Sequence, residues 1–313
     1  MLALGLDTSC YTTSAALCGE DAFPQQERRL LPVPAGERGL RQSEAVFAHV
    51  KQLSGVLEPL LRSCPGPIDC VCASAAPRDG EDSYMPVFQV GMNQGKALAA
   101  ALKVPFFTTT HQRGHIAAAR YGTGLAADRY IALHLSGGTT DVLLISGDQI
   151  TPLGASLDLH AGQLVDRIGV ALGLPFPCGP YLEKLALQGT SRNRVPVSLE
   201  KNSLSCHLSG AEAQLSRMIA SGESREDVAA EVYSLLCRTV HRLLSAAAEQ
   251  TGVSDLLLAG GVASSGLLRD MLRQRNEKRR SGLRYFFGRP EFSGDNAVGV
   301  ALIGLEKLKN QRR

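Results

Sequence analysis

Two segments of the chain share one arrangement of apolar and polar positions. Residues 2–17 (LALGLDTSCYTTSAAL) and 130–145 (YIALHLSGGTTDVLLI) each read as an apolar run, a short cluster of Ser, Thr, Gly or Asp, and a second apolar run. This order is typical of a β-hairpin with a polar turn. Backbone N–H groups and hydroxyls in such turns can face an anion. The pattern predicts duplicated lobes with a nucleotide between them, and two ordinary hairpins in unrelated domains remain the alternative.

Helical and strand patterns alternate through the rest of the chain. Apolar residues of segment 40–62 recur at spacings of three and four, as in an amphipathic helix: Val46, Val50, Leu53, Leu57, Leu60 and Leu61. Short apolar strands are predicted over 68–77 and 104–110, the second ending at His111. Further helices are predicted over 90–102, 161–173 and 226–251, and a buried strand, a Gly-Gly turn and a helix over 255–274. Strands that alternate with helices indicate an α/β fold.

Length and hydropathy bound the class of protein. A chain of 313 residues is longer than a domain with a single hydrophobic core usually is, which favours two lobes. The mean hydropathy is -0.02, and no apolar run approaches the roughly 20 residues that span a bilayer. The start, MLALGLDTSC, has neither a basic region nor a long apolar region, so no secretion signal is predicted. We therefore expect a cytoplasmic protein without a membrane partner, whose cysteines are reduced thiols.

The net charge of +3 is too small to indicate a nucleic-acid partner by itself. Basic residues nevertheless cluster late in the chain, at Arg269, Arg273, Arg275, Lys278, Arg279, Arg280, Arg284 and Arg289. This cluster has two interpretations: contact with the phosphates of a nucleic acid, or the solvated face of the helix that follows the Gly-Gly turn.

Two histidines are candidates for a metal site. His111 and His115 have the spacing H-x-x-x-H, which places both imidazoles on one face if the segment is helical. Two incidental helix histidines are an equally good interpretation. Asp295 precedes the last predicted helix, where its carboxylate could be a third ligand or simply the N-cap.

Glycine-rich turns and one acid are candidates for ligand binding. Gly260 and Gly261 lie between a strand and a helix, where they allow a ligand close to the backbone or serve packing alone. Neither a GxxxxGK[ST] loop nor a clean GxGxxG is present. Asp166, which we expect in a helix start, and Gly179 in a rigid Gly-Pro turn could hold a ribose or another polar substrate. A salt-bridged helix acid and a structural turn are the alternative.

Taken in order, these segments resemble the TsaD family of the actin/Hsp70/sugar-kinase superfamily. The matching segments are GLDTSC at 5–10, HQRGH at 111–115, LSGGTT at 135–140, AGQLVDRIGVALGLPFPCGP at 161–180, LSG at 208–210, LAGGVASSGLLR at 258–269 and RPEFSGDNAVGVA at 289–301. Their order and spacing are far more specific than any single segment.

The resemblance implies an α/β fold of two duplicated actin-like (ribonuclease H-like) lobes with a nucleotide cleft between them. The first lobe would cover 1–128, with the C-terminal helix 296–313 packing back on it, and the second 129–295. His111, His115 and Asp295 would hold one divalent metal, iron or zinc. An adenine nucleotide or acyl-adenylate would be bound by Leu135, Ser136, Gly137, Gly138, Thr139, Asp166, Gly179, Gly260, Gly261 and Ser265.

The family's reaction moves a threonylcarbamoyl group from its AMP adduct to N6 of the adenosine next to the tRNA anticodon. The metal would polarise the carbamoyl oxygen and orient the donor while the amine attacks. Expected partners are tRNA and either a TsaB-like protein or a second copy of the chain. Asp7, Ser9 and Thr12, in the segment that matches the family's first motif, are the candidate catalytic residues.

Several positions depart from the family's pattern. An acidic pair that the family carries in its first motif is replaced by Tyr11 and Thr12, so a carboxylate base is missing there. The other departures are Arg113 in place of an acid, Thr139 in place of histidine, Ser265 in place of asparagine, and the segment 77–84 in place of a glycine-rich Pro-Gly stretch. Three functions therefore stay open: the family's transferase, a catalytically degenerate partner protein that binds nucleotide and metal, and a carbamoyltransferase, kinase or ATPase acting on another acceptor.

Overall fold

The structure is a computed structural model that describes residues 1–9, 11–20, 22–32, 40–80 and 82–313. Cys10 of the first motif and Glu81 of segment 77–84 lie outside the described residues. The chain separates into a first unit, Met1–Tyr121 with Gly294–Arg313, and a second unit, Gly122–Ser293. The prediction had assigned 122–128 to the first domain and 294–295 to the second. The difference at 294–295 arises because this segment leads directly into a helix that packs on the first unit's sheet.

A five-stranded mixed sheet forms the centre of the first unit. Its strands, in spatial order, are β3 (Gln25–Leu30), β2 (Thr12–Gly19), β1 (Leu2–Thr8), β4 (Cys70–Ala76) and β5 (Phe106–Thr110). β1 pairs antiparallel with β2 and parallel with β4, and β4 pairs parallel with β5. The predicted hairpin and both predicted strands are therefore present.

Helices cover this sheet because each presents an apolar face to it. They are α1 (Gln42–Arg62), α2 (Phe88–Leu102), α3 (His111–Arg120) and α9 (Val298–Arg312). α9 approaches β1 closely: a Cβ on Gly5 would lie 2.5 Å from the carbonyl oxygen of Ala297. Only glycine permits this contact, which fixes the segment before α9 over the centre of the sheet.

The buried face of α1 differs from the predicted one. Val50 is 59% exposed, whereas His49 and Val56, which the apolar spacing passed over, are buried. Leu53, Leu57 and Leu60 face the core as expected. Because the sheet offers polar groups opposite His49, the helix buries an imidazole there in place of a valine.

The second unit is built around a sheet of the same design. Its strands, in spatial order, are β12 (Arg284–Phe287), β11 (Asp255–Ala259), β6 (Arg129–Leu135), β7 (Thr140–Ser146) and β8 (Gln149–Ala155). β6 pairs antiparallel with β7 and parallel with β11, as β1 does with β2 and β4. The predicted duplication is therefore confirmed at the level of strand order and direction.

Five helices of the second unit surround its large apolar core. They are α4 (Ala161–Ala171), α5 (Gly179–Ala186), α6 (Ser209–Ala220), α7 (Arg225–Thr251) and α8 (Gly266–Arg279). Two short strands, β9 (Ser198–Leu199) and β10 (Cys206–His207), pair with each other. The core centres on residues such as Ile131, Leu133 and Leu256, which are fully buried. In the part of the chain that the structure describes, no helix has the length and apolarity needed to cross a bilayer.

Candidate metal centre and ligand pocket

The two histidines of H-x-x-x-H lie on one face of α3, as predicted. β5 ends at Thr110, whose side chain caps α3 by accepting from the Arg113 N–H, so the helix begins at His111. His115 follows one turn later and is almost buried. The Nε2 atoms of the two rings lie 3.0 Å apart. This strand-to-helix junction therefore places two imidazole nitrogens at one point.

Asp295 meets these two nitrogens from the segment before α9. Its Oδ1 lies 3.6 Å from His111 Nε2 and 3.3 Å from His115 Nε2. The alternative N-cap role is wrong, because α9 begins at Val298 and its N-cap is Ala297, without a side-chain cap. His111, His115 and Asp295 form a group whose potential ligand atoms all lie within 4.8 Å of one another.

The β1–β2 turn supplies the surroundings of Asp295. Ser9 Oγ and Thr12 Oγ1 donate hydrogen bonds to Oδ2 of Asp295, at 3.1 and 3.3 Å. Both hydroxyl residues are 3% exposed. Because the turn occupies Oδ2, the other carboxylate oxygen remains directed at the histidines. Ser9 and Thr12, predicted as catalytic residues, thus lie behind the candidate metal ligand.

Asp7 orients His111 by a hydrogen bond, as Ser9 and Thr12 orient Asp295. The Nδ1–H of His111 donates to Asp7 Oδ2 at 3.0 Å, and the Ser74 hydroxyl donates to Asp7 Oδ1. A carboxylate facing Nδ1 places the ring proton there, which leaves the Nε2 lone pair available as a ligand. Asp7 is completely buried, and its carboxylate faces the His111 ring.

The donor set fits one divalent metal ion. Imidazole and carboxylate ligands suit zinc or iron. Two ligands at about 2.1 Å from a tetrahedral ion lie roughly 3.4 Å apart, and the three separations here are 3.0, 3.3 and 3.6 Å. Three protein ligands leave a coordination position open, which is the arrangement of a catalytic site.

The charges around the group favour a cation. Burial opposes protonation of His111, but the Asp7 and Asp295 carboxylates outweigh it and raise the pKa of His111 well above its ordinary value. Burial also acts to raise the pKa of Asp295, but hydrogen bonds and the charges of the two histidines hold it well below its usual range. The carboxylates therefore stabilise positive charge at this point, whether a proton or a metal supplies it.

His49 is a supporting residue that sequence reasoning missed. Its Nε2–H donates to the Ser9 carbonyl at 2.7 Å, and its Nδ1 lies 2.8 Å from Thr13 Oγ1. Burial, the largest cause, lowers the pKa of His49 despite the Ser9 carbonyl and the Asp7 charge. A histidine inside the apolar face of the helix over 40–62 was the available signal.

Two residues that differ from the family's pattern, Arg113 and Asp79, contact each other. Arg113, which replaces an acid, donates from Nε and a terminal nitrogen to the carboxylate of Asp79, at 2.9 and 2.7 Å. Asp79 belongs to the divergent segment 77–84 and also accepts from Thr110 Oγ1 at 3.2 Å. The reversed charge at Arg113 therefore has a matching acid, and the pair holds the divergent segment against the start of α3.

A pocket with a volume of about 340 Å³ lies within the second unit. It contains five of the predicted ligand-binding residues: Gly137, Asp166, Gly179, Gly261 and Ser265. It also contains residues that the sequence analysis did not single out: Gly162, Val165, Pro177, Pro180, Glu183, Tyr233, Val262 and Ser264. Positions from four parts of the chain that were predicted separately thus share one cavity.

The acidic side chains of the pocket are positioned by backbone N–H groups. Asp166 lies in the middle of α4, not at its start as predicted, and its Oδ1 accepts from the Cys178 N–H at 2.9 Å. Burial raises the pKa of Asp166, opposed by that hydrogen bond. Glu183 Oε1 accepts from the Leu267 N–H at 2.7 Å, and Tyr233 donates to the Gly179 carbonyl at 3.2 Å. Burial, the largest cause, and Glu183 raise the pKa of Tyr233.

The remaining predicted ligand-binding residues support the pocket without lining it. The Ser136 N–H donates to the Thr139 carbonyl at 2.8 Å, which closes the β6–β7 turn, and Gly138 projects into open space. Leu135 is buried in the core. Gly260 has a positive φ of 96° and packs against the Leu135 backbone, a position that favours glycine.

A sequence profile of the TsaD family, tRNA N6-adenosine threonylcarbamoyltransferase, matches residues 37–302. The chain belongs to the TsaD family. Its predicted resemblance is thereby confirmed over well more than half of its length. This membership supports a transferase-like enzyme.

Solved structures share the fold at low sequence identity. HypF from T. kodakarensis superposes with a TM-score of 0.63 at 16% identity, over 99% of this chain and 48% of that one, so the chain spans about half the length of HypF. A ROK family glucokinase from Streptomyces griseus, in complex with glucose and AMPPNP, gives 0.57 at 15% identity over 98% and 100% of the chains. Component A of the (R)-2-hydroxyglutaryl-CoA dehydratase of Acidaminococcus fermentans gives 0.57 at 16% identity over 99% of both. These likenesses confirm the predicted actin-like α/β fold class.

Proposed function

We propose that this protein transfers a threonylcarbamoyl group from its AMP adduct to N6 of the adenosine beside the tRNA anticodon. The observation that carries the proposal is the convergence of His111, His115 and Asp295 on one point in a chain of the TsaD family. Three ligand side chains from two distant parts of the sequence form a prepared cation site, and hydrogen bonds from behind orient two of them, His111 and Asp295.

The pocket of the second unit suits an adenylate. Three helices begin at it: Gly162 lies in the first turn of α4, Gly179 starts α5, and Ser265 caps α8. Helix N-termini carry partial positive charge and unsatisfied N–H groups, which favours a phosphate. Gly137 and Gly261 have no neighbours where a side chain would be, so a ligand can approach their backbones. The carboxylates of Asp166 and Glu183 can accept hydrogen bonds from ribose hydroxyls.

His111, His115 and Asp295 would hold the metal, which when bound would supply a Lewis acid for the carbamoyl oxygen. In the transfer, the N6 amine forms a bond to the carbamoyl carbon and the bond from that carbon to the phosphate oxygen breaks. AMP leaves, and its phosphate or water takes the proton that the amine gives up. Asp7, Ser9 and Thr12 act as positioning residues, since their hydrogen bonds orient His111 and Asp295.

The test is a direct product assay. The purified protein, loaded with one zinc or iron ion per chain, is incubated with threonylcarbamoyl-AMP and an unmodified tRNA transcript, and the nucleosides are analysed by mass spectrometry. We expect threonylcarbamoyladenosine from the parent and none from Asp295→Ala. Absence of product from fully metal-loaded protein would contradict the proposal. The assay is repeated with a TsaB-like protein, the partner that we propose for the transfer.

A catalytically degenerate partner protein is the second candidate, favoured by the β1–β2 turn. Tyr11 is 54% exposed, and the Thr12 hydroxyl donates a hydrogen bond to Asp295. Neither side chain is a carboxylate that could act as a base. If the site is degenerate, Tyr11→Asp should create activity that the parent lacks, because it restores an acid at an exposed position. Tyr11→Asn is the matched uncharged control. Product formation by the parent itself would exclude this second function.

A further inference from the structure

Apart from Arg289, the basic residues late in the chain separate into two sets in the structure. One set serves the fold. Arg269 donates to the carbonyls of Ala263 and Gly288, at 2.8 and 2.6 Å. Arg273 pairs with Asp270, and the guanidinium groups of Arg269 and Arg273 lie over the Phe287 ring. Arg284 pairs with Asp255. These cations are accounted for by neighbours within the second unit.

The other set has no such neighbours. It consists of Arg275, Lys278, Arg279 and Arg280 at the end of α8, together with Arg242 of α7, and we call it the basic surface. Within the described ranges, none of these five side chains makes a hydrogen bond or an ion pair. Arg275 Nε is even buried without a partner. Burying a guanidinium N–H without an acceptor is costly, so Arg275 is a cation that the second unit leaves without a hydrogen-bond acceptor at this atom.

Arg275, Lys278 and Arg279 are three and four residues apart and share one face of α8, and the charges of Arg275 and Arg242 both act on Arg238 of α7. His241 of α7 lies between the helices, with its Nδ1 3.2 Å from the Tyr285 hydroxyl and its Nε2 3.3 Å from Ser281 Oγ. Arg275 and Arg279 are one turn apart on α8, and Arg242 is the next residue to His241 on α7. After burial, the charges of Arg275 and Arg279 are the causes that lower the pKa of His241.

Acidic residues near the basic surface do not neutralise it. Glu231 of α7 forms an ion pair with Arg238, at 3.3 Å. Glu277 of α8 forms no ion pair among the residues that the structure describes. Five cations against the one exposed carboxylate of Glu277 leave a local positive potential that attracts polyanions.

One helix connects this surface with the ligand pocket. α8 is capped at its start by Ser265, a pocket residue, and ends at Arg279. Its 14 residues span about 21 Å. A nucleic acid that presents one nucleoside near the pocket can therefore place neighbouring phosphates along the same helix.

We propose that Arg242, Arg275, Lys278, Arg279 and Arg280 form a binding surface for the phosphate backbone of the RNA acceptor. The proposal rests on the proposed function, since it assigns the surface to the substrate of that transfer. Its contacts are electrostatic and independent of base sequence, so they position the RNA and do not select it.

The test measures equilibrium binding of an unmodified tRNA transcript, by fluorescence anisotropy, over a series of salt concentrations. The exposed pair Arg242→Ala/Arg279→Ala should weaken binding several-fold at about 100 mM salt and lower the slope of log K against log salt by about 1.4–1.8. The matched control, Lys201→Ala/Arg217→Ala, removes two exposed cations elsewhere on the second unit. Arg275→Ala is a further variant, and circular dichroism establishes that each variant is folded.

The outcomes separate this proposal from the proposed function. Unchanged affinity and slope in the folded Arg242→Ala/Arg279→Ala protein overturn the basic surface alone, even if transfer to tRNA is observed. An equal loss in the Lys201→Ala/Arg217→Ala control also overturns it, because the effect then comes from net charge. If the parent does not bind tRNA at low salt, both proposals fail, and an acidic protein becomes the ligand to examine.

Discussion

The turns of the two equivalent hairpins differ in their residues: one presents hydroxyl side chains and the other glycines. The β1–β2 turn of the first unit holds buried hydroxyls, Ser9 and Thr12, which point at Asp295. The β6–β7 turn of the second unit holds Gly137 and Gly138, where an added side chain would meet no neighbour within 4 Å. Both turns follow the central strand of sheets with the same strand order. One strand arrangement therefore supports a candidate cation site through side-chain oxygens in one unit and contributes an exposed glycine, Gly137, to the pocket in the other.

Electrostatics explains why each turn needs its own residues. In the first unit, the carboxylates of Asp7 and Asp295 face the histidines and favour a positive charge there, and hydroxyls hold Asp295 in place. In the second unit, the N-termini of α4, α5 and α8 surround the pocket and favour a negative ligand. A side chain on the glycine turn would cover the N–H groups that such a ligand needs.

The largest effect should come from removing a metal ligand. Asp295→Ala and His115→Ala leave two donors, so bound metal should fall from about one ion per chain to nearly none. Asp166→Asn should keep the metal and lose affinity for adenylates, because only the pocket is changed. Metal analysis by mass spectrometry and calorimetry with AMP on the same preparations measure both properties. Stoichiometric metal in Asp295→Ala would contradict the assignment.

A smaller effect is expected from the hydroxyls behind Asp295. Ser9→Ala and Thr12→Val should each weaken metal affinity by about 10–100-fold, since residues that orient a ligand contribute to that extent. Ser136→Ala, in the turn of the other hairpin, is the matched control and should not alter metal affinity. Competition with a chromogenic chelator gives the dissociation constants. Equal losses in all three variants would show that the two turns do not differ in this respect.

The glycine turn can be tested through its packing. A Cβ on Gly162 would lie 2.6 Å from Gly137 N, so Gly162→Ala should displace the β6–β7 turn and lower the free energy of unfolding by about 1–3 kcal/mol. A Cβ on Gly138 meets nothing within 4 Å, and Gly138→Ala should be close to neutral. Denaturant titrations compare the two, with metal content unchanged in both. A neutral Gly162→Ala would contradict this close packing.

The smallest effect concerns the pair of residues that depart from the family's pattern. Asp79 and Arg113 are each about one-third exposed, so we expect a coupling free energy of about 0.5–1 kcal/mol from the double-mutant cycle Asp79→Asn, Arg113→Gln. Raised salt should reduce it. Urea unfolding of the four proteins gives the value. Zero coupling would mean that the acid and the base changed independently.

Sequence reasoning predicted the elements well because their periodicities are strong. The helix over 226–251 and the strands over 68–77 and 104–110 appear as α7, β4 and β5. It failed where a polar partner decided the outcome. His49 is buried and Val50 exposed, because Ser9 and Thr13 hydrogen-bond to the imidazole across the α1–sheet contact. No spacing rule for apolar residues contains that information.

The site was predicted in part. Spacing along one helix was enough to pair His111 with His115, since residues four apart share a face. The roles of Asp7, Ser9 and Thr12 as supports of metal ligands required coordinates, because their partners lie more than 100 residues away. Glu183 and Tyr233 were missed because no motif marks them, and only chain folding brings them to the pocket.

The amino-acid sequence alone therefore determined the α/β class, the duplicated hairpins and the family, because these depend on local periodicity and on the order of short motifs. The tertiary structure decided which carboxylate faces the histidines, which glycines line a pocket and which arginines lack a partner. These choices depend on distances between residues far apart in the chain, and such distances are set by how helices pack on a sheet.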